Sequence, residues 1–71
     1  MQPFQQRVID EKLELDEKIT KLAVFRTTSL FDSIDPSEQS RMTDQEVTMR
    51  EYSRILGERI AFFQEANQNG K

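Results

Sequence analysis

The sequence predicts an all-α protein: an antiparallel two-helix hairpin with a short helical turn in the connection, assembling into a homo-oligomeric helical bundle. Three observations point there. Val8, Leu15 and Leu22 repeat every seven residues in the first half, and Met42, Met49, Leu56 and Phe63 do so in the second. Between the two stripes, Asp35-Pro36-Ser37-Glu38 is a helix start signal. A seven-residue apolar repeat keeps one stripe of a helix turned toward a partner.

Helix one is expected over about residues 3–26. Pro3 suits a first turn, where its missing N–H is no loss. No glycine or proline follows before Arg26, and Phe4, Ile19 and Phe25 fill out the stripe. Glu14 with Lys18, and Glu17 with Lys21, are acidic-before-basic pairs four apart, each worth a few tenths of a kcal/mol. The connection spans about residues 27–35. Thr27-Thr28-Ser29 interrupts the pattern, and Leu30, Phe31 and Ile34 form a turn whose apolar side closes the hairpin.

Helix two is expected over about residues 36–65. Asp35 caps it, Pro36 takes the first position, and Glu38 is placed to complete a capping box. Gln45, Tyr52 and Arg59 lie three residues after Met42, Met49 and Leu56, which reads them as the second row of the seam. Gly57 costs about 1 kcal/mol relative to alanine inside a helix, so close packing of another backbone is expected there. Residues 66–71 read as a frayed tail. Folding the helices back about Phe31 brings Phe4 near Phe63, Val8 near Arg59 and Ile19 near Met49.

Seventy-one residues make one small domain, and a chain this short hides only about 60% of its unfolded surface. Without cysteine or histidine, neither a disulfide nor a zinc site of the usual kinds reinforces it. Association of copies is the remaining route, so a homo-oligomer is expected. Thirteen acidic residues against ten basic ones give a net charge of −3, which argues against DNA or RNA as a partner, because phosphate neutralisation dominates that affinity. No segment approaches the ~20 apolar residues of a membrane span, and Met1–Arg7 lacks the apolar core of a signal peptide. A soluble intracellular protein is expected, with no membrane partner.

No enzyme is expected. A general base near neutral pH would have to be a carboxylate with a raised pKa, and nearly all carboxylates fall on solvent-facing helix positions. No phosphate-binding glycine loop or metal-ligand spacing is present, so no cofactor or metal is expected. The informative residues are polar groups on or beside the stripe: Arg7, Glu11, Lys12, Lys18, Tyr52 and Arg59. On one account Arg59 pairs with Glu11 across the hairpin, Lys18 snorkels, and Tyr52 is core with a wet hydroxyl. On the other, they serve an anionic ligand at a contact between copies. Arg7, Lys18 and Arg59 then engage phosphates, and Phe4 and Tyr52 pack on bases or ribose. Outward-facing Leu13 and Val24, with Ile55 and Phe62 widening the stripe, suit a protein contact surface. They leave open a small helical inhibitor or assembly factor acting on a host protein, or a purely structural coiled coil.

The residue pattern also carries a family resemblance. Phe4-Gln5-Gln6-Arg7-Val8-Ile9 opens it, followed by Glu11 through Ile19 with Leu22 and Phe25. Phe31, Ile34, Gln45, Met49-Arg50-Glu51-Tyr52, Ile55-Leu56 and Arg59-Ile60 complete it. Over about Phe4 to Phe63 the chain resembles the small helical-hairpin proteins of the phage anti-CBASS and anti-Thoeris sponge group. The resemblance implies a homo-oligomer, a hexamer in the best-known members. It implies sequestration of a cyclic di- or trinucleotide, or a cyclic ADP-ribose-type messenger, in pockets between protomers of the host cytoplasm's phage protein. The signal is removed without being cleaved, and host immune effectors stay off.

Overall fold

The computed structural model describes residues 2–69, with side chains over 2–65. Three helices follow one another: α1 (Pro3–Phe25), α2 (Ser29–Asp32) and α3 (Pro36–Asn69). The two long helices α1 and α3 pack along each other as a hairpin, giving a rod of 56 × 16 × 14 Å. α3 has 34 residues against the 23 of α1, so it overhangs its partner at the open end. It also runs past Glu65, where the apolar pattern stops. Gly70 and Lys71, at the end of the expected tail, lie outside the described residues.

Local chemistry fixes the ends. The Gln2 backbone N–H donates to Gln5 Oε1 at 3.0 Å, and Pro3 sits in the first turn. At α3 the Asp35 carboxylate accepts the Ser37 N–H at 3.1 Å. Glu38 does not reach back to complete a box; it accepts from Arg41 Nε at 2.8 Å instead. In the connection, the Thr28 side chain accepts the Phe31 N–H and caps α2. Gln39 Nε2 donates to the carbonyls of Phe31 (2.8 Å) and Ile34 (3.0 Å), tying the connection to α3. Phe31 meets Phe25 edge-on, with ring centroids 6.2 Å apart.

The core is thin. Among the described residues only Val8, Ile19, Leu56 and Phe63 are buried apolar side chains, and Leu56 alone is wholly enclosed. Val8, Leu56 and Phe63 form one cluster with Leu15 and Ile60 packed against it, and Phe4 meets Phe63 edge-on at 6.3 Å.

The second row of the seam differs from the sequence expectation. Tyr52, Gln45 and Arg59 are exposed; Glu46, Ser53 and Ile60, four residues after Met42, Met49 and Leu56, face the partner. The reason lies across the hairpin. Lys12 and Arg26, each four residues after a stripe position of α1, need polar partners, and α3 supplies them. Lys12 Nζ donates to Asp16 at 2.7 Å and to Ser53 Oγ at 3.0 Å, and Ser53 donates to Asp16. Arg26 Nη1 donates to Glu46 at 2.8 Å, while Arg50 Nε holds the other carboxylate oxygen at 2.9 Å. Arg26 also lies over the Phe31 ring, 5.8 Å from its centroid, with its Nε buried and unpartnered. The other polar groups of this row are tolerated because they are paired.

Two smaller expectations are also corrected. Gly57 accommodates a side chain and not a backbone: a Cβ there would stand 3.2 Å from Lys12 Cε. Lys18 makes no ion pair with Glu14, whereas Lys21 reaches Glu17 at 3.3 Å.

Candidate functional site

The seam divides the hairpin surface into two flanks. Residues 4, 11, 18 and 25, seven apart, run down one flank of α1, and residues 45, 52 and 59 run down the facing flank of α3. All five residues expected to bind a ligand lie on or next to this flank, beside the seam and not within it.

The open end holds most of them. Phe4 and Arg59 line a shared groove of about 470 Å³ with Gln5, Ile55, Glu58, Phe62 and Phe63. Phe4 is 51% exposed and Phe62 71%, so the groove has an uncovered aromatic wall. Arg7 is exposed on α1 one turn before Glu11. Tyr52, 43% exposed, donates its hydroxyl to the Glu11 carboxylate across the hairpin. That bond raises the Tyr52 pKa above its ordinary 10.0, and the nearby positive charge of Arg59 pulls it the other way. The Arg59–Glu11 pair expected on one account is therefore replaced by Tyr52–Glu11. Lys18 stands apart: eleven residues from Arg7, it is ~16 Å farther along the helix axis.

Charge pairing separates these cations from the rest. Lys12, Lys21, Arg26, Arg41, Arg50 and Arg54 each meet a carboxylate. Among the described residues Arg7, Lys18 and Arg59 have no such partner within 4.0 Å. An unpaired guanidinium keeps its planar fork of donors free for a phosphate or carboxylate.

The opposite flank carries a second groove, of about 410 Å³, lined by Lys12, Asp16, Thr20, Arg50, Ser53 and Arg54 over Ile19 and Gly57. Sequence reasoning did not assemble these residues into a site. The available signal was the spacing of Lys12 and Ser53 at matching seam positions of the two helices. Their cations are engaged within the chain, so this groove is primarily part of the polar seam.

The seam carboxylates make stability acid-sensitive. The Lys12 hydrogen bond, then that of Ser53, holds Asp16 below its ordinary 3.8. Arg26, then Arg50, holds Glu46 below 4.5. A carboxyl with a lowered folded pKa stabilises above its unfolded value and stops doing so as pH falls through the folded one. The melting temperature is thus expected to be level from pH 7 to about 5 and to fall below about pH 4. Asp35 and Glu51, lowered by Ser37 and Arg54, add to the same slope. Glu46→Gln should therefore lower the neutral-pH melt and flatten only part of the acid limb; an unchanged limb would contradict the pairing.

Among the described residues, no group of three or more Asp or Glu side chains is placed to hold a metal ion, and no helix is long and apolar enough to cross a membrane. Compared with known proteins, residues 2–62 match the family model described as Sequestin. No curated protein and no solved structure matches the chain.

Proposed function

This chain belongs to the Sequestin family, and we propose that it is a molecular sponge. In this reading it is a non-enzymatic phage protein of the host cytoplasm. It binds a cyclic di- or trinucleotide, or a cyclic ADP-ribose-type immune signal, and holds it uncleaved. The observation that carries the reading is the set of unpaired cations, Arg7, Lys18 and Arg59, on one flank of an acidic hairpin beside the rings of Phe4 and Tyr52. Arg7 and Arg59 take phosphate oxygens at the open end, Phe4 and Tyr52 pack on base or ribose, and Lys18 meets a more distant charge. The family's name is compatible with sequestration.

Self-association belongs to the same proposal. Phe4, Ile55 and Phe62 leave an apolar strip uncovered at the open end, and a four-residue core gives it little support. A second copy of the hairpin covers the strip, and a hexamer is the assembly that the sponge group suggests. Sedimentation at low micromolar concentration tests this, and a compact monomer there would contradict it.

Calorimetry against cyclic di- and trinucleotides and cyclic ADP-ribose isomers tests the ligand. A ligand at a hundred times its Kd adds about 2.7 kcal/mol of stability, which a melting scan resolves. No heat and no shift with any of them would remove the sponge reading. A second reading rests on Leu13 and Val24, exposed away from the seam with Leu30 and Val47. There the chain docks on a host protein, and a stoichiometric partner lost on Leu13→Asp would favour it.

A further inference from the structure

The anion-binding flank contains one carboxylate that the proposed ligand chemistry leaves without a role. Glu11 lies one helical turn after Arg7 and seven residues before Lys18, on the same side of α1. Across the hairpin it accepts the hydroxyl of Tyr52, whose titration also registers the charge of Arg59. The carboxylate of Glu11 is thus an oxyanion on the same flank as the unpaired cations, engaged by the phenol of Tyr52.

We propose that Glu11 is an internal surrogate for the ligand's anion: it holds the Tyr52 hydroxyl until a phosphate group displaces it. This rests on the sponge reading and deepens it by naming the residue that sets the threshold for entry. Two oxyanions cannot share one hydroxyl donor and one set of nearby cations without repulsion. A ligand must therefore turn Glu11 out toward water, and Tyr52 then donates to the phosphate. Glu11 is exposed, so rotating it away strands no buried charge. An uncharged molecule does not repay the exchange, whereas an anionic phosphate, the phosphodiester of a cyclic nucleotide included, does. Glu11 accordingly selects for phosphate-bearing ligands and against neutral ones.

Inorganic pyrophosphate, titrated calorimetrically at low ionic strength into the full chain, is the probe. Glu11→Gln keeps the side-chain shape and removes the charge. It is expected to bind pyrophosphate at least about threefold more tightly than the parent chain, with an unchanged melting temperature reporting an intact fold. The gain should vanish when Glu11→Gln is introduced into a Tyr52→Phe background, where there is no hydroxyl to release. A gain of equal size in both backgrounds would reduce Glu11 to a distant charge and overturn the surrogate role. Equal or weaker binding by Glu11→Gln, or no pyrophosphate binding by either chain, would overturn it as well. The sponge reading is judged separately, by the parent chain against the cyclic nucleotides. Binding there with no gain from Glu11→Gln sinks the surrogate and leaves the sponge standing.

Discussion

Leu56→Ala is expected to cost about 2–5 kcal/mol and, in a chain this small, to abolish cooperative unfolding altogether. Leu56 is 0% exposed and stands at the centre of the cluster of Val8 and Phe63, with Leu15 and Ile60 against it. Truncation leaves a void between two helices that have no third layer to collapse into it. Domains hold roughly 0.05–0.15 kcal/mol of stability per residue, so the loss is of the same order as the whole. Far-ultraviolet circular dichroism during thermal and urea unfolding measures it. Leu13→Ala, on the outer face, is the control and should stay within about 0.5 kcal/mol of the parent. A Leu56→Ala chain that melts cooperatively within a few degrees of the parent would show that the seam is not where stability resides.

Arg59→Glu is expected to have the opposite profile: a small effect on the fold and a large one on binding. Arg59 is exposed, has no ion pair, and lines the open-end groove with Phe4. Reversing its charge replaces an attraction for phosphate by a repulsion. Affinity for the tightest-binding cyclic nucleotide should fall about tenfold or more, with the melting curve of the free protein unmoved. Arg41→Glu, at the closed end where Arg41 already meets Glu38, should leave affinity unchanged. Equal losses at both positions would mean that net charge alone attracts the ligand and that no site lies at the open end.

The sequence made one row of the seam legible and hid the other. Met42, Met49, Leu56 and Phe63 are apolar at heptad spacing, and a stripe of that kind needs a buried face. The companion row could fall three or four residues later, since both steps stay on one side of a helix. Tyr52 reads as more apolar than Ser53, which favoured the wrong step. Ser53 and Glu46 are nonetheless buried, because Lys12 and Arg26 occupy the matching row of α1 and satisfy them. The signal was pairwise complementarity across the hairpin, which no single-helix pattern contains. Shifting that row by one residue also moves Tyr52 and Arg59 out of the interior and onto the flank. There they reach solvent. Lys18 was legible as a cation beside the stripe, but its separation from Arg7 and Arg59 depends on the rise of the helix and on where α3 crosses it.

The buried polar row also bears on how the two helices choose their alignment. Sliding α3 by one turn would take Ser53 away from Lys12 and strand Glu46 away from Arg26. Breaking one partner of a part-buried pair is costlier than the pair's net contribution, so the seam penalises the wrong register even where it adds little stability.

Sequestration itself is tested most directly by recovering what was bound. The protein is incubated with a cyclic nucleotide found by calorimetry, freed of unbound ligand by gel filtration, and heat-denatured; the released small molecule is then identified by chromatography and mass. The proposed function predicts near-stoichiometric recovery of the intact cyclic compound. A linear or otherwise cleaved product, or an empty protein fraction for every signal tried, would contradict it.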